Sequence, residues 1–530
     1  MNKKFFALSW GRKSFFGLGF LLTAIMGLTY VQSMLFPSGG LSWFYFFVTF
    51  IGHYGFLISV FYFLLYVPVI YLFPGYYMSK IWSAILLIAL NLFIFVDGYL
   101  FSNYRLHLNP LVFKFIDGEQ FSKSSLVFLL IGSFVVFLIL WIRGERLWRI
   151  MQARFSNPVK NWYLVVILIC FFTGLTMEWQ GAKNGDVVYQ KLSQLFPLRK
   201  LWVDHLYAGT PVLKTNSIHP KGYKEFNYPV DNLKCDAKNP KNIVIFSLSE
   251  WKSGVKADQA YLLKHISTHA INFPQHLSGS DKLESSWFSL LYSLPPVYEE
   301  AVKIEEIKPF FIEQLIRNKF EMRLIKSGFA DGLISQLYKG LKSTEVTEIE
   351  GTLEELTSLN RRFFLNVTLR SGSLREQELI VSRVLEMFSR KHLIDQSIVL
   401  ILGSTAQMNV DAEHLQVDQF KAPAMMIWNS KKEIPVKAHT SHYDFIPTIV
   451  QEDWKCKINS NAFSFGSSLF RISENDYLTV GNYHQLGVIN LQNQQVSTLY
   501  ELKDLKLAKG TSPKLILKSL KELMIFQRRR

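Results

Sequence analysis

The sequence predicts a bundle of membrane-spanning helices followed by an α/β domain with a mainly parallel β-sheet. The first observation is composition: 49% of the 530 residues are hydrophobic and 44 are phenylalanine, which is more apolar than an ordinary water-soluble protein. The second is the crowding of apolar runs into the first 180 residues. The third is the alternation of strand-like and helix-like segments after residue 241, an order that builds parallel sheets.

Five apolar runs approach or exceed the roughly 20 residues that a helix needs to cross a bilayer. They cover about residues 15–36, 44–73, 81–101, 125–142 and 161–177. The first run is too long, and too poor in small residues at its end, for a cleaved signal peptide. We therefore predict a five-helix transmembrane domain over residues 1–180.

The lysines and arginines beside these runs predict the orientation of the chain. Basic residues crowd at the N-terminus and in the loop after the fourth run, whereas the loop after the first run contains neither Lys nor Arg. Five spans then leave the N-terminus in the cytoplasm and place everything after about residue 180 outside, which is the periplasm in a bacterium with two membranes. The net charge of +16 is explained by orientation charges and anionic lipid, and we expect no nucleic-acid partner.

Two ionisable side chains, His53 and Asp97, fall inside the apolar runs. Because charge is unfavourable in a bilayer, such residues are functional candidates by default. For Asp97 the alternative is that it lies near the outer end of its span and simply reaches water.

Residues 181–241 contain five prolines among Lys, Asn and Gly residues, which indicates a connector. One helix is predicted within it, over LFPLRKLWVDHLYAG, with Pro197 in the first turn and an apolar stripe at helical spacing. Arg199 and Lys200 are predicted to point away from most of that stripe, where they can bind lipid phosphates at the membrane interface. The alternative is a pair of solvated charges.

From residue 242 to residue 530 the chain is predicted to form the α/β domain. Its first strand is NIVIFS, an unbroken apolar run typical of a strand buried on both faces. Further strands are expected near 320–328, 361–372, 397–403 and 422–430, with an amphipathic helix before the strand at 397–403. The tail from Tyr477 is expected to form short strands and then a helix.

Few patterns in this region point directly to chemistry. The sequence has no nucleophile elbow, no Walker loop, no H-E-x-x-H pair and no cysteine pair with zinc spacing. HTSHYDF holds the densest polar cluster (His439, His442 and Asp444), and we favour a capped helix start with a hydrogen-bonded His over a metal site. Cys235 and Cys456 can form one disulfide outside the membrane, and two unpaired thiols are the alternative.

Several segments resemble signatures of the YejM/PbgA family of inner-membrane proteins. They are IGHYGF in the second run, RLHLNPLVF after the third, the connector segment LSQLFPLRKLWVDH, and HTSHYDFIPT. The resemblance implies an outer domain of the alkaline phosphatase/sulfatase-like fold. It also implies a lipopolysaccharide sensor that binds lipid A phosphates through a basic pair, here Arg199 and Lys200. The family has Arg at the second of these positions.

The same resemblance implies partners and an action. The sensor would act through a LapB-type membrane adaptor on the degradation of the biosynthetic enzyme LpxC by the FtsH protease. Anionic phospholipid is a further expected partner.

The resemblance also locates the positions that carry chemistry in active members of the superfamily. These are a metal-binding Asp at the end of the first strand, a nucleophile that opens a helix, an Asp-His pair after a later strand and a further His, which support metal-assisted phosphoryl or sulfuryl transfer. They fall here on Ser249, on Lys282 or Leu283, on Ser404 and Thr405, and near Gln419. A shifted alignment would offer Ser280 or Ser285 as the nucleophile, and His414 would replace the missing His only if the loop before the strand at 422–430 were aligned differently. Because the expected ligands are missing together, we predict a pseudoenzyme with no metal and no cofactor.

Three alternatives remain open from the sequence. Glu250, Asp281 and Glu284 would have to build a substitute metal site if the chain were a lipid phosphatase or a phosphoethanolamine transferase. The basic surface and the FQRRR tail also permit a carrier of cardiolipin or another phospholipid.

Overall fold

The computed structural model describes most of the chain and two compact units in it. The described residues are 3–33, 40–104, 107–108, 123–153, 162–184, 189, 192–193, 195–199, 226–229, 233–255, 260–327, 342–358, 361–405, 416–471, 476–481, 485–500, 506–507 and 512–526. The first unit lies within Met1–Glu225, and the second is Phe226–Phe526. The second unit therefore begins earlier than residue 242, where the sequence analysis started the α/β domain.

The first unit is helical, and short π- and 3-10-helical turns extend some of its helices. In chain order its α-helices are α1 (Lys3–Ser14), α2 (Phe20–Gly27), α3 (Gly40–Val60), α4 (Val67–Leu72), α5 (Tyr76–Tyr104), α6 (Lys123–Ala153) and α7 (Trp162–Asn184).

By length and composition, four stretches among the described residues are candidate membrane spans. They are Lys3–Val31, Gly40–Leu72, Tyr76–Tyr104 and Trp162–Gly181. These four coincide with four of the five predicted spans. The remaining predicted span, 125–142, lies within α6.

Glycines set the close approach of α3 and α7. A Cβ added at Gly52 would lie 2.4 Å from the backbone nitrogen of Phe171, and one added at Gly55 would lie 2.7 Å from Ile167 Cγ1. Both approaches are shorter than any side chain tolerates, so the two helices pack backbone against side chain as small residues allow in membranes. The IGHYGF segment therefore owes its two glycines to helix packing.

The second unit is an α/β domain around one large sheet. Its strands are β1 (Asn242–Lys252), β2 (Ile271–Asn272), β3 (His276–Leu277), β4 (Glu321–Ser327), β5 (Lys342–Glu345), β6 (Phe363–Leu369), β7 (Ser397–Ser404), β8 (Ala424–Ile427), β9 (Thr440–Ser441), β10 (Tyr477–Gly481), β11 (Gln485–Asn490), β12 (Val496–Tyr500) and β13 (Lys506–Leu507). The large sheet has the order β2-β8-β7-β1-β6-β4-β5.

Strand β1 is the centre of that sheet because it can be buried on both faces. Ile243, Val244, Ile245 and Phe246 are all fully buried, and β1 pairs in parallel with β6 on one side and β7 on the other. β4 and β5 continue the parallel arrangement, whereas β8 and β2 are antiparallel. The predicted mainly parallel sheet is confirmed.

Helices connect and cover the strands. They are α8 (Tyr261–Ser267), α9 (Leu283–Tyr292), α10 (Glu299–Glu305), α11 (Phe310–Arg317), α12 (Ile349–Ser358), α13 (Leu374–Arg390), α14 (Phe445–Thr448) and α15 (Pro513–Leu523). Helix α13 starts at a capping box in which Ser373 and Glu376 satisfy each other's backbone N–H. Its buried Val381, Val384 and Phe388 recur at helical spacing and rest on the sheet.

The beginning and the end of the second unit meet, which explains where the unit starts. Phe226 packs 6.0 Å from Phe526, ring to ring, and the backbone N–H of Asn227 donates to the Phe526 carbonyl at 2.7 Å. Cys235 forms a disulfide with Cys456, with the two Cα atoms 5.7 Å apart. The disulfide that the sequence left open is therefore formed, and it ties the last part of the predicted connector to the domain.

Candidate functional site

The carboxyl ends of β1 and β7 bring two of the predicted positions together. Ser404 closes β7, and its hydroxyl donates to the backbone carbonyl of Ser249 on β1 at 2.6 Å. The pairing of the two strands shifts register just there, between Leu248 and Lys252. Ser249 and Ser404 thus share one edge of the sheet, where parallel α/β folds commonly place their chemistry.

A glutamine from α13 fills the space beside Ser249. Gln377 is fully buried; its amide nitrogen donates to Ser249 Oγ at 3.1 Å, and its amide oxygen accepts the N–H of Glu250 at 3.2 Å. The same nitrogen also lies 3.3 Å from the Ser371 carbonyl. A neutral amide therefore joins β1 to the loop before α13, and Ser249 Oγ also donates to the Glu250 carboxylate at 3.4 Å.

Sequence reasoning missed Gln377, although a signal was present. Gln377, Val381, Val384 and Phe388 follow one another at intervals of four, three and four residues along α13. Such spacing places all four on the face that meets the sheet. A polar residue at the first position of an otherwise apolar face is the mark of a buried hydrogen-bonding group.

The predicted nucleophile positions stand at the start of α9, as the resemblance implied. Lys282 is the residue before the helix and Leu283 is the first residue within it. Neither residue type supplies a hydroxyl or thiol for attack. Nearby, Thr405 donates its hydroxyl to the Asp281 carbonyl at 3.1 Å, so this side chain holds the loop before α9.

The acidic residues that remained as substitutes do not gather. Glu250 pairs with Lys252 at 3.7 Å, and Glu284 lies 3.7 Å from an Arg370 nitrogen. Among the described residues no group of three or more His, Cys, Asp or Glu side chains could hold a metal ion. Since a divalent cation needs several such ligands, the side chains that the structure describes at this edge do not fit one.

The last predicted position, Gln419, has a local role. Its side-chain oxygen accepts the backbone N–H of Gln416 at 2.9 Å, which caps a short turn before the backbone of Phe420 accepts from Ser278 at 2.8 Å. His414, the candidate for compensating the missing His, lies outside the described residues.

The HTSHYDF segment forms a capped helical turn, as the favoured interpretation predicted. Ser441 and Asp444 cap each other reciprocally, and Asp444 also pairs with Lys437 at 2.6 Å. His442 lies at the start of this turn and is buried. His439 is half-buried instead, and lines a cavity of about 90 Å³ together with Lys437 and Asp444.

His442 has a partner that the sequence did not indicate. Nε2 of His276, on β3, lies 2.7 Å from Nδ1 of His442, and the other nitrogen of His276 lies 3.0 Å from the Thr440 hydroxyl. Burial lowers the pKa of His442 to about 3. Burial, reinforced by the His442 and Lys437 charges, also holds the pKa of His276 well below its usual value. The pair is therefore neutral at physiological pH.

In the helical unit, the start of the predicted connector helix is held by a buried ion pair. The guanidinium of Arg199 meets the Glu178 carboxylate of α7 with Nη2 and Nε at 2.7 and 2.8 Å. Both side chains are about 2% exposed. The expectation that Arg199 lies on an open face is therefore wrong, because Glu178 offers it a buried counterion. Lys200 lies outside the described residues.

His53 holds the same segment from α3. Its Nε2 donates to the carbonyl of Pro197 at 2.8 Å, and its ring packs 5.4 Å from that of Phe196. Within IGHYGF the histidine therefore lies between two helix-packing glycines and fixes the chain that follows α7.

Asp97 holds a segment too. It accepts the Tyr30 hydroxyl at 2.7 Å, lies 2.7 Å from Nδ1 of His107, and accepts the backbone N–H of Leu108. Asp97 is 1% exposed, so the alternative in which it simply reaches water is wrong. The rest of the RLHLNP motif beyond His107 and Leu108 lies outside the described residues.

Comparison with known proteins shows which proteins this chain is similar to. Residues 3–235 match a family described as a domain of unknown function, DUF3413. The inner membrane protein YejM of Salmonella typhimurium is 20% identical over 519 residues, which cover 88% of this chain and 86% of that protein. Together these matches support a YejM-family protein. An uncharacterized protein of Haemophilus influenzae is 18% identical over 535 residues, which cover 92% of this chain and 89% of that protein.

Solved structures similar to this chain include a protein of the alkaline phosphatase superfamily and an integral membrane transferase. One is a protein of the alkaline phosphatase superfamily from Vibrio parahaemolyticus, with a TM-score of 0.41 and 12% identity over 56% of this chain and 91% of that one. Another is the integral membrane lipooligosaccharide phosphoethanolamine transferase A of Neisseria meningitidis, with a TM-score of 0.31 and 10% identity over 81% of this chain and 94% of that one.

Proposed function

We propose that this inner membrane protein is a non-catalytic sensor of lipopolysaccharide that regulates lipid A synthesis. The observation that supports the proposal is the edge of the sheet at Ser249, the position that the resemblance assigns to a metal-binding Asp, where the side chain is hydrogen-bonded to the Gln377 amide. Among the described residues no set of three His, Cys, Asp or Glu ligands gathers there, and without such a set a domain of this fold lacks the means of metal-assisted phosphoryl or sulfuryl transfer. What the protein retains is a folded domain attached to a membrane bundle.

The lipid would be bound where the connector leaves the bundle. Arg199 and Lys200 offer the bidentate fork and the point charge that suit a lipid A phosphate. Since Glu178 already pairs with Arg199 at 2.7 Å, the phosphate has to compete with this carboxylate or to rely on Lys200. Binding would then alter how the connector is held on the bundle.

The proposal includes an orientation and an output. The N-terminus lies in the cytoplasm and the second unit in the periplasm, and the disulfide between Cys235 and Cys456 supports this, because such bonds persist in oxidising compartments. The membrane unit would pass the signal to a LapB-type adaptor and so to FtsH-dependent turnover of LpxC. Through this output, bound lipopolysaccharide would adjust its own synthesis.

Mass spectrometry of lipids retained by the gently purified full-length protein tests the proposal. We expect lipid A on the wild type and its loss from the Arg199→Ala/Lys200→Ala double variant. Arg383→Ala/Lys391→Ala, which removes one exposed charge in the middle of α13 and one directly after it, is the matched control and should retain lipid A. Only bulk phospholipid in every sample would contradict the sensor and favour a carrier.

Single variants separate the two basic residues. If Lys200 makes the phosphate contact and Arg199 only positions the connector, Lys200→Ala loses lipid A while Glu178→Gln retains it. If Arg199 is shared between Glu178 and the phosphate, Glu178→Gln frees Arg199 and increases the lipid A retained.

A further inference from the structure

Two exposed histidines stand four residues apart where α8 ends. His265 lies in the last turn of the helix, and His269 follows the residue that caps it, Thr268. The helical turn continues through His269, because the backbone N–H of Thr268 donates to the His265 carbonyl at 3.3 Å and that of His269 donates to the Ile266 carbonyl at 3.0 Å. Residues four apart in such a turn are neighbours, so the two imidazoles share one side of the domain surface.

The two rings are close enough for one metal ion to reach both. Their centres lie 5.8 Å apart, and their planes are inclined at 63°. A metal ion that binds an imidazole nitrogen at about 2.1 Å lies roughly 3.2 Å from the centre of that ring, so two rings on one ion have centres at most about 6.4 Å apart. The observed separation of His265 and His269 falls within this limit.

The hydrogen bonds of Thr268 determine which nitrogen of His269 can bind a metal. The Thr268 hydroxyl donates its single hydrogen to the His265 carbonyl at 2.7 Å. The same oxygen lies 2.8 Å from Nδ1 of His269, so the oxygen accepts there and Nδ1 carries the proton. Nε2 of His269 therefore keeps its lone pair, and a hydrogen bond from the other ring nitrogen is what fixes the tautomer and the orientation of metal-binding histidines.

The helix that carries the pair is held from its inner side. Leu263 is buried, and its backbone N–H donates to the Glu378 carboxylate of α13 at 3.1 Å. The chain then enters β2, which pairs with β8 at the outer end of the large sheet. Since β8 and β7 lie between β2 and β1, the histidines are separate from the strand end at Ser249.

The surroundings of the pair indicate an exchangeable site. Lys264 is exposed beside His265, and the Lys432 ammonium donates to the Thr268 carbonyl at 3.2 Å, so two cations oppose the binding of another. Among the described residues no third His, Cys, Asp or Glu side chain joins the two imidazoles. Water would complete the coordination of an ion bound here.

We propose that His265 and His269 form a binding site for a divalent transition-metal ion, with a higher affinity for Cu²⁺ than for Zn²⁺. Imidazole nitrogen suits both ions, and Cu²⁺ leads the order of affinity for nitrogen ligands, whereas Mg²⁺ and Ca²⁺ prefer oxygen ligands. The bound ion joins the end of α8 to the turn that leads into β2. The site gives the protein no phosphoryl-transfer chemistry and does not depend on lipid A binding.

The test titrates Cu²⁺ into the full-length protein in detergent, purified without a histidine tag, against a chelator of known affinity. Electron paramagnetic resonance reports the nitrogens bound to the ion, and we expect two imidazole nitrogens at the tightest site. His265→Gln and His269→Gln should each weaken this site about 100-fold, because the second imidazole binds as an intramolecular ligand. Thr268→Val, which removes the hydrogen bond to Nδ1, should weaken it by about tenfold.

Two controls separate a chelating pair from histidines that bind singly. Ser267→His/His269→Ser keeps the number of histidines but places them two residues apart, where they do not face each other, and should bind as weakly as His269→Gln. His392→Asn removes an exposed histidine just after α13, at a positive φ of 54° that Asn tolerates, and should bind like the wild type.

Metal selectivity supplies the last measurement. Zn²⁺ should displace Cu²⁺ only at a higher concentration, and Mg²⁺ should not displace it. Wild-type affinity for Cu²⁺ in both single histidine variants, or in Ser267→His/His269→Ser, overturns the proposal, as does displacement by Mg²⁺.

Discussion

At the edge of the sheet in the second unit, the buried polar groups are neutral, whereas the buried polar groups of the helical unit include full charges. Gln377 donates to Ser249 Oγ and Ser404 donates to the Ser249 carbonyl, while the Glu250 carboxylate that Ser249 also contacts is 42% exposed. In the bundle, Arg199 is paired with Glu178, and Asp97 accepts hydrogen bonds from Tyr30 and Leu108.

At the sheet edge the buried polar groups complete the architecture, whereas in the bundle they also introduce charge. A network of amide and hydroxyl groups is sufficient to close a sheet edge, and such neutral groups alone bind a divalent cation weakly. Buried charges are unfavourable unless they are paired, so each one in the bundle indicates a segment that must be held at a defined place. Those segments are the start of the connector, at Pro197 and Arg199, and the chain after α5, at His107 and Leu108.

Removing one partner of the buried ion pair in the helical unit should have the largest effect on stability. Glu178→Ala leaves the Arg199 guanidinium buried without a counterion, which we expect to destabilise the helical unit by about 3–5 kcal/mol. Thermal unfolding of the full-length protein in detergent measures the effect. The double variant Glu178→Leu/Arg199→Met should recover most of the loss, and Arg390→Ala, in an exposed pair with Glu386, should cost less than about 1 kcal/mol. A double variant as unstable as Glu178→Ala would contradict the role of the pair.

Acid should destabilise the second unit through its buried, uncharged pair of histidines. His276 and His442 stay unprotonated in the fold because burial lowers the pKa of both, whereas in the unfolded chain each titrates near pH 6.5. Their contribution to stability is therefore complete above about pH 6.5 and is lost as pH falls toward 3. Between pH 7 and pH 5 we expect a loss of roughly 2 kcal/mol for each imidazole.

Unfolding midpoints at both pH values check this expectation. His442→Gln should reduce the pH dependence by about one proton, and His265→Gln, at an exposed position, should leave it unchanged. Equal pH dependence in all three proteins would mean that the buried pair does not control the acid response.

Removing the Gln377 amide at the sheet edge should have the smallest effect on stability. Gln377→Ala removes the acceptor of the Glu250 N–H and the amide donor to Ser249 Oγ, which keeps only its 3.4 Å contact with Glu250; leaving a buried polar group unsatisfied costs about 1–3 kcal/mol. Denaturant midpoints measure it, with exposed Arg375→Ala on the same helix as the control. No loss in Gln377→Ala would show that the network contributes little to closing the edge.

Much of the fold could be predicted because its signals are local. The apolar runs, the strand NIVIFS and the stripe along α13 each follow from periodicity within one segment. The start of α9 at Lys282 and Leu283, and the capped turn at Ser441, follow from resemblance and from short-range capping chemistry. The site was less predictable, since its partners are far apart in sequence, as with Gln377 and Ser249 or His276 and His442.

By itself, the sequence determined which segments are apolar enough to span a membrane and which strand is buried on both faces of its sheet. Only the tertiary structure decided that this strand lies at the centre of the sheet, that Arg199 is buried against Glu178, that Asp97 holds the chain after α5, and that Cys235 meets Cys456. The physical reason is the range of the interactions. Hydropathy and capping act within a few residues, whereas an ion pair, a disulfide and an exposed face depend on what the folded chain brings alongside.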